Sequence, residues 1–586
     1  MRQWMVAAKK ADFYAIAEKF HVDPVVARII RNREVIGEKN IRIYLGGNLS
    51  DLSDPHQMKD MDRLVEILAQ KIRKQVHIRI IGDYDVDGVT SSHLFLTALR
   101  RVGAKVDVVI PHRIQDGYGL SLHLLQQAKE DGVDTILTCD NGIAAIDEIA
   151  WAKAQKMTVL VTDHHAVPFE EHEGRRTEKK SLADAVVNPH QQDCGYPYKE
   201  LCGAGVAWNV IRVLYENYDM DKREAEDLLD FVAMATVCDV MSLTGENRIL
   251  VKEGLKRIRH TKNIGLQALM QACNVQPENI SAYHFGYVLG PCVNATGRLD
   301  TARHALRLFE TGQETEAEEI ARDLVDLNQE RKELTLQGVE MAKKLCEEGG
   351  YENDPVLVLF LPDVHESIAG LIAGRIREVY NRPVFVLTRG EEGVKGSGRS
   401  TENYSMYENM CGCAELFTKF GGHPMAAGLS LPEENVEKFR RKINENCPLT
   451  VEEVCPDIHI DMAMPVGYAS TELVHQFALL EPFGKDNPSP LFADRNLSIS
   501  RMWLIGKNRN VLRMSVLSEY GQPVPVIFFG DVETLFAYFT EKFGQEEVEN
   551  ALHGRKNRIL FSMVYTAKID FYQGNENLQL EMKYYR

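Results

Sequence analysis

The sequence predicts an α/β protein built from a parallel-sheet domain, a long connecting helix, a second smaller α/β domain and a C-terminal OB-type β-barrel. Three observations carry this. Short apolar runs alternate with amphipathic stretches from residue 76 to about 190, the signature of strands and covering helices in a mostly parallel sheet. A charged segment at 311–349 has no proline and, before its closing Gly349, only two glycines, which suits one long helix. Beyond 450 the chain turns to β-type runs rich in aromatic residues, the pattern of a small barrel.

The 586 residues exceed one ordinary core, so several domains are expected. The divisions fall at 1–75 (a helical segment packing on the first α/β domain), 76–310, 311–349 (the connecting helix), 350–450 and 451–586. In the first α/β domain the runs are VHIRIIG, SSHLFLTALRRVG, KVDVVIP, LSLHLLQQAKEDG, DTILTCDNG, AAIDEIAWAKAQ, MTVLVTDHH and DAVVNP. In the second, PVLVLF and RPVFVLTRG read as strands around the helix SIAGLIAGRIREVY. The barrel runs are LSISRMWLIG, VLRMSVL, PVPVIFFG, RILFSMVYTAKIDFY and LQLEMKYY.

Composition excludes several classes. Hydrophobic residues are 44% and charged residues 26%, values ordinary for a globular protein. No apolar run reaches membrane-span length, and the first twenty residues break their apolar stretches with Lys, Asp and Glu. They do not read as a signal peptide, so a cytoplasmic protein is expected. The net charge of −17 argues against coating nucleic acid by bulk charge and leaves room for a locally basic channel. Eleven scattered cysteines, with Cys411 and Cys413 the closest pair, give neither a zinc spacing nor a disulfide framework. Reduced, mostly buried thiols are expected.

The chemistry lies at the strand ends. Each predicted strand of the first domain runs into a polar cluster: Asp83-Tyr84-Asp85-Val86-Asp87-Gly88, then Pro111-His112-Arg113, Asp140-Asn141-Gly142, Asp163-His164-His165, and Asn188. In a parallel sheet these carboxyl ends share one edge, where α/β sites are built. Carboxylates packed so densely raise one another's pKa unless a cation intervenes. Carboxylates with one or two imidazoles suit Mn²⁺ or Mg²⁺ better than zinc. Two such ions about 3.5–4 Å apart can share a carboxylate, activate a water and clamp a phosphate. A calcium loop beginning at Asp83 would need Glu at its twelfth position, where this chain has Leu94. Singly, each cluster reads as a cap or a turn; together they point to a metal site.

GDYDVDG, CDNG and DHH in this order resemble the first motifs of the DHH phosphoesterase superfamily, and Asp239 in ATVCDVMSL resembles the fourth. The resemblance runs on through DLSDPHQMKDMDRLVEIL, PHRIQDGYGLS, VNATGRLD, GSGRS, GGHPMAAG and LEPFGKDNPSPLF, which together are similar to the RecJ family. It implies a DHH domain, a DHH-associated domain carrying the GGH element and an OB domain that binds single-stranded DNA. It further implies a 5′→3′ exonuclease hydrolysing single-stranded DNA to 5′-mononucleotides with two Mn²⁺ or Mg²⁺ ions. The implied metal ligands are Asp83, Asp85, Asp87, Asp140, His164 and Asp239, with Asp140 as the bridge. Asp85, Asp87, Asp140, His164 and His165 are the implied catalytic set, His165 facing the scissile phosphate. Arg113, Arg298, Ser397, Arg399 and His423 are the implied phosphate contacts, Arg113, Ser397 and Arg399 at the 5′ terminus. Work in recombination and repair, with a single-strand-binding protein or helicase as partner and the chain as a monomer, follows from the same resemblance.

Trp503, Lys507, Arg509, Phe528 and Phe529 are candidates for the barrel's DNA-binding face, since aromatic faces stack bases and cations follow the backbone. Alternating aromatics in strands also serve as core. Two other readings compete: a DHH oligoribonuclease or nucleotide phosphatase on short substrates, and an inactive replication scaffold. The roughly 130 residues after the domain that carries the GGH element, with their barrel pattern, oppose the first. The intact acidic motifs oppose the second.

Overall fold

The computed structural model describes residues 3–586 except 114–115, 118, 173–174, 391–392, 507–508 and 573. The chain forms two compact units, one of residues 49–456 and one of residues 3–48 with 457–586.

The first unit opens with α1 (Met61–Arg73), whose Leu64, Leu68 and Ile72 are buried. The alternation then unfolds as β1 (His77–Ile81), α2 (Val86–Arg101), β2 (Lys105–Val109), α3 (Leu122–Glu130), β3 (Thr135–Cys139), α4 (Ile146–Ala154), β4 (Thr158–Thr162) and β5 (Ala185–Val187). The sheet order is β2-β1-β3-β4-β5, all parallel. Ile80 stands opposite both Val108 and Leu137. β3 is buried along its whole length, as expected of a strand covered by helices on both faces. The strand order reverses between β1 and β3, and such a switch point opens a crevice outside the carboxyl ends of those two strands.

Helices follow, as expected for residues 203–310. The site uses α5 (Gly203–Asn217), α6 (Leu229–Cys238) and α7 (Gly290–Leu299), the last entered through a π-helical turn at Phe285–Leu289. The connecting helix is α8 (Glu314–Glu348), 35 residues and so about 50 Å long. It carries two separate apolar stripes. Ala317, Ile320, Ala321 and Leu324 pack into the core of the first α/β domain. Val339, Ala342 and Cys346 pack into the next.

That next domain contains β6 (Leu357–Phe360), α9 (Glu366–Tyr380), β7 (Val384–Gly390), β8 (Gly393–Arg399), β9 (Lys419–His423), β10 (Ala426–Leu431) and α10 (Val436–Glu445). Its sheet order is β9-β10-β8-β7-β6, antiparallel except for the β6–β7 pair.

In the second unit, β11 (Phe492–Ile505), β12 (Val511–Leu517), β13 (Pro523–Phe528), β14 (Leu560–Tyr572) and β15 (Asn575–Tyr585) pair in the order β11-β12-β13-β15-β14, and β14 pairs again with β11. The circuit closes, with β13 and β15 parallel, as an OB-type arrangement. Two helices the sequence did not announce, α11 (Val532–Phe543) and α12 (Gln545–Leu552), fill the β13–β14 connection.

The N-terminal segment departs from expectation. Val25, Val26, Ile29, Ile30, Ile41 and Tyr44 share a core with Met502, Leu512, Val526 and Phe561 of the OB-type unit, and Trp4–Val6 pairs in parallel with Ile458–Ile460. Only the part of residues 1–75 from Leu49 onward belongs to the first unit. The apolar stripe of these helices told that they were buried, not against what.

If the first stripe of α8 anchors it, Leu324→Ala, at a position 0% exposed, costs about 2–5 kcal/mol. A lowered urea midpoint with unchanged secondary structure by circular dichroism is the expected result.

Candidate metal centre

The acidic motifs are folded into the strand-to-helix turns themselves. After β1 the chain turns at Gly82-Asp83-Tyr84, and Asp85 becomes the N-cap of α2, its side chain accepting from the Gly88 amide (3.1 Å). A Cβ on Gly88 would lie 2.5 Å from the Asp83 backbone, so this turn closes only around a glycine. Asp87, in the first turn of α2, is anchored from elsewhere: its two carboxylate oxygens accept from the amides of Gly203 (2.6 Å) and Ala204 (2.7 Å) at the start of α5.

The CDNG turn has a comparable logic. Asp140 follows β3 with φ 63, a left-handed conformation that aspartate tolerates better than most residues. Asn141 bridges strands by donating to the carbonyls of Ile81 (3.0 Å) and Cys139 (2.9 Å). Gly142 has φ 107, and a Cβ there would meet Thr138 Oγ1 at 2.6 Å. After β4, Asp163 turns inward. Its Oδ1 accepts from the amide of His164 (2.7 Å) and from Nδ1 of His165 (2.7 Å), and its Oδ2 from the amide of Ile143 (2.9 Å). Asn188, after β5, holds the His165 carbonyl through Nδ2 (2.9 Å).

These turns converge. Nε2 of His164 lies 3.1 Å from Asp140, 3.6 Å from Asp239 at the end of α6, and 3.7 Å from Asp87. Ligand atoms of Asp83, Asp85 and Asp140 form one group within 4.8 Å, as do those of Asp87, His164 and Asp239, and those of Asp140, His164 and His165. All six residues expected to hold metal are therefore brought together, and Asp140 is shared between groups.

Electrostatics fits a cation. Burial, then the charges of neighbouring carboxylates, push Asp83, Asp85 and Asp140 above the usual carboxylate range. Burial depresses His164, leaving a neutral imidazole with a lone pair to give. Oδ1 of Asp83 and Nε2 of His164 are buried without a hydrogen bond among the described residues, a state that is costly for polar atoms unless a partner completes it. Oxygen donors with one imidazole match Mn²⁺ or Mg²⁺, so the residues present fit the group.

His165 differs. Burial opposes its charge, but its hydrogen bond to Asp163 and the nearby carboxylates raise it to about 9. Asp163 is correspondingly held below its ordinary value, against burial, by His165. Asp163 thus orients His165 as an imidazolium.

Beside the acidic cluster, and joined to it by Tyr84, lies a cleft of about 420 Å³ lined by Tyr84 and Arg113 from one domain and by Ser367, Lys395, Ser397, Lys419 and Gly421 from the other. Arg113 stacks over the Tyr84 ring at 4.9 Å. Arg298, on α7, donates to the Ser367 carbonyl (2.6 Å). Burial, then Arg113, Arg331 and Arg399, lower its guanidinium to about 9. Burial, then Arg377 and Arg113, also lower Arg399. Among the described residues no carboxylate pairs with Arg113, Arg298 or Arg399. His423 is exposed at the end of β9 and lies neither among the cleft-lining residues nor in a ligand group.

Sequence reasoning missed the supports. Gly203 and Ala204 hold Asp87, and a Cβ on Gly203 would sit 2.6 Å from Asp140. The run CGAGVAW was the available signal. Asn294, within VNATGRLD, accepts from the Val86 amide (3.2 Å) and ties the Arg298 helix to the DYDVD turn. In the second unit, Phe528 is 5% exposed and packs against Tyr585, so its candidacy as a stacking residue falls. Trp503 is half-buried between Arg501 (5.7 Å) and Arg513 (5.9 Å), whereas Phe529 and Arg509 are exposed. Lys507 lies outside the described residues.

Two outcomes follow. Gly203→Ala forces Asp140 aside, so Mn²⁺ affinity measured by calorimetric titration falls about 10–100-fold while the fold, by circular dichroism, persists. Because the folded pKa of His165 stands above its ordinary 6.5, its contribution to metal-free stability is full below pH 6.5 and fades as pH rises through about 9. In Asp163→Asn, NMR titration of the metal-free protein finds this imidazole well below its parent value.

Comparison with known proteins agrees with this geometry. Residues 77–236 match the DHH family N-terminal domain, 353–447 the DHHA1 domain and 460–584 the RecJ OB domain. The chain is 32% identical over 582 residues to the single-stranded-DNA-specific exonuclease RecJ of Haemophilus influenzae, covering 96% of each. It is 33% identical over 512 residues to RecJ of Bacillus subtilis, covering 87% of this chain and 63% of that longer protein. The crystal structure of RecJ from Thermus thermophilus in complex with Mn²⁺ superposes with a TM-score of 0.81 at 25% identity, over 100% of this chain and 79% of that one. The chain belongs to the RecJ family of DHH proteins.

Proposed function

We propose that this chain is a metal-dependent 5′→3′ exonuclease that hydrolyses single-stranded DNA to 5′-mononucleotides. The observation that carries the reading is the juxtaposition of an acidic, metal-competent cluster with a cationic cleft, the two joined at Tyr84. A phosphodiester bound there has its terminal phosphate among guanidiniums and its scissile bond among carboxylates.

Asp83, Asp85, Asp87, Asp140, His164 and Asp239 would hold two Mn²⁺ or Mg²⁺ ions, Asp140 being the carboxylate that belongs to two ligand groups and so available to both. Ions so held supply a nucleophilic water and neutralise phosphoryl charge. The chain's own residues do the rest. Burial and mutual repulsion raise the carboxyls of Asp83, Asp85 and Asp140, and cations held among them would favour their ionised forms. His165, fixed by Asp163, donates to a phosphoryl oxygen as the 3′-oxygen leaves. Arg113, Arg399 and Ser397 hold the 5′ phosphate, Arg298 the next, by charge-assisted hydrogen bonds. His423 contacts substrate only if its hairpin approaches the bound strand.

Strand selectivity follows from size, since a cleft of about 420 Å³ admits a nucleotide and not a duplex. The OB domain, with Trp503 between two arginines and Phe529 exposed, supports the incoming strand by stacking. No described helix is long and apolar enough to cross a membrane. A cytoplasmic monomer acting in recombination and repair, fed by a helicase or meeting a single-strand-binding protein, completes the proposal.

Digestion of end-labelled oligonucleotides tests it. A 5′-labelled single strand should release labelled mononucleotide at once with Mn²⁺ or Mg²⁺, and a blunt duplex should resist. Asp140→Ala should lose at least about 10²-fold in kcat; full activity would overturn the site. Arg399→Ala should lower kcat/KM about 10–100-fold on 5′-phosphorylated ends, with a smaller effect on 5′-hydroxyl ends.

A further inference from the structure

All eleven cysteines are free thiols, and two of them meet. Cys273 ends the helix Ile264–Ala272, and Cys292 sits in the first turn of α7. Their sulfurs are 3.8 Å apart. The surroundings of the two thiols differ. Cys292 is 2% exposed and is held by the Val288 carbonyl (3.3 Å) and by Nδ2 of Asn328 from α8 (3.3 Å). Cys273 is partly exposed. The Cys292 thiol, and then the Lys332 charge, draw its pKa below the ordinary thiol value. An accessible, thiolate-prone cysteine beside a resolving thiol is the arrangement that hydroperoxides oxidise selectively.

We infer that Cys273 and Cys292 form a hydroperoxide-reactive dithiol whose disulfide distorts α7 and so weakens phosphate binding by Arg298. The Cys273 thiolate attacks one peroxide oxygen. The O–O bond breaks, giving a sulfenic acid and a hydroxide that takes up a proton as water. The Cys292 sulfur then attacks the sulfenic sulfur, the S–O bond breaks, and the hydroxyl departs as water with the Cys292 proton. Two thiols are oxidised and one hydrogen peroxide is reduced to two waters.

The bond has a mechanical consequence. An S–S bond is about 2.05 Å long, so the sulfurs must close by roughly 1.8 Å, and Cys292, losing its S–H, gives up the bond it donates to the Val288 carbonyl. The movement enters α7 just after the π-helical turn Phe285–Leu289, a helical form that often marks functional positions. Two residues further on is Asn294, which holds the DYDVD turn. One turn beyond that is Arg298.

The test uses the full-length protein with EDTA, treated with about equimolar hydrogen peroxide, alkylated and mapped by mass spectrometry. The Cys273–Cys292 disulfide should form about tenfold faster than oxidation at the exposed Cys411, revert with dithiothreitol and be absent in Cys273→Ser. In Cys292→Ser a dimedone adduct should mark Cys273. Oxidation at Cys411 with the pair still reduced would overturn the inference. The effect on Arg298 rests on the proposed nuclease reading. After metal is restored, oxidised protein should show kcat/KM on a 5′-phosphorylated strand lowered about tenfold, recovering on reduction, with Cys273→Ser insensitive. A disulfide that leaves kcat/KM unchanged would refute the coupling to α7. Absence of nuclease activity in the reduced protein would refute the nuclease reading while the thiol mapping still decides the dithiol.

Discussion

The structure depends on keeping several carboxylates buried within a few ångströms of one another. Desolvation and mutual repulsion both oppose this, and the fold answers them unevenly. Asp87 takes two amides from the start of α5, Asp85 caps α2, and Asp163 accepts from two amides and an imidazole. These groups are fixed before any cation arrives. Oδ1 of Asp83 and Nε2 of His164 receive no such bond among the described residues, and both residues belong to ligand groups that include Asp140. Preorganisation is thus divided: the protein orients the ligands and leaves part of their valence open.

The topology supplies the rest. The switch between β1 and β3 opens the crevice, and both flanking strands end in an acidic turn. α2 begins at Asp85 and carries Asp87 in its first turn, and the first amides of α5 donate to Asp87, so two helix N-termini bring partial positive charge to the cluster. That offsets some of the repulsion at Asp85 and Asp87 in the metal-free chain. It also explains the glycines. Gly88 and Gly203 let backbone amides approach the carboxylates more closely than any side chain would allow.

Much of this could be read from the residues. The alternation of runs announced the parallel sheet, and its strand ends named every converging ligand except Asp239, which lies at the end of α6 and was reached only through the family resemblance. What could not be read depended on partners remote in sequence. The amphipathic helices before Asn48 announced burial, but an apolar stripe does not name its receiving surface, and they belong to the OB-type unit. Asn294 and Gly203 act through single hydrogen bonds to turns some 115 to 210 residues away, and no local pattern marks such contacts. Phe528 and Phe529 are adjacent, yet one is buried and the other exposed, because β13 ends at Phe528 and the chain leaves the sheet there. The resemblance separated His164 from His165, but the bond by which Asp163 orients His165 was hidden, because an aspartate that orients a histidine looks like any other in sequence.

The cationic cleft obeys the same rule with the sign reversed. Arg113, Arg298 and Arg399 raise one another's cost, and burial lowers Arg298 and Arg399, yet a cluster of carboxylates lies nearby. Were the two sets to pair, each would satisfy the other and neither could bind a ligand. Tyr84 stands between them with Arg113 on its face, while Arg298 is tied to a backbone carbonyl instead. Holding unlike charges close but apart needs a frame that does not yield. α8 meets that need by fastening one stripe in each domain. The interdomain helix is therefore part of the site's electrostatics: its two packed stripes maintain the separation between the acidic cluster and the arginines.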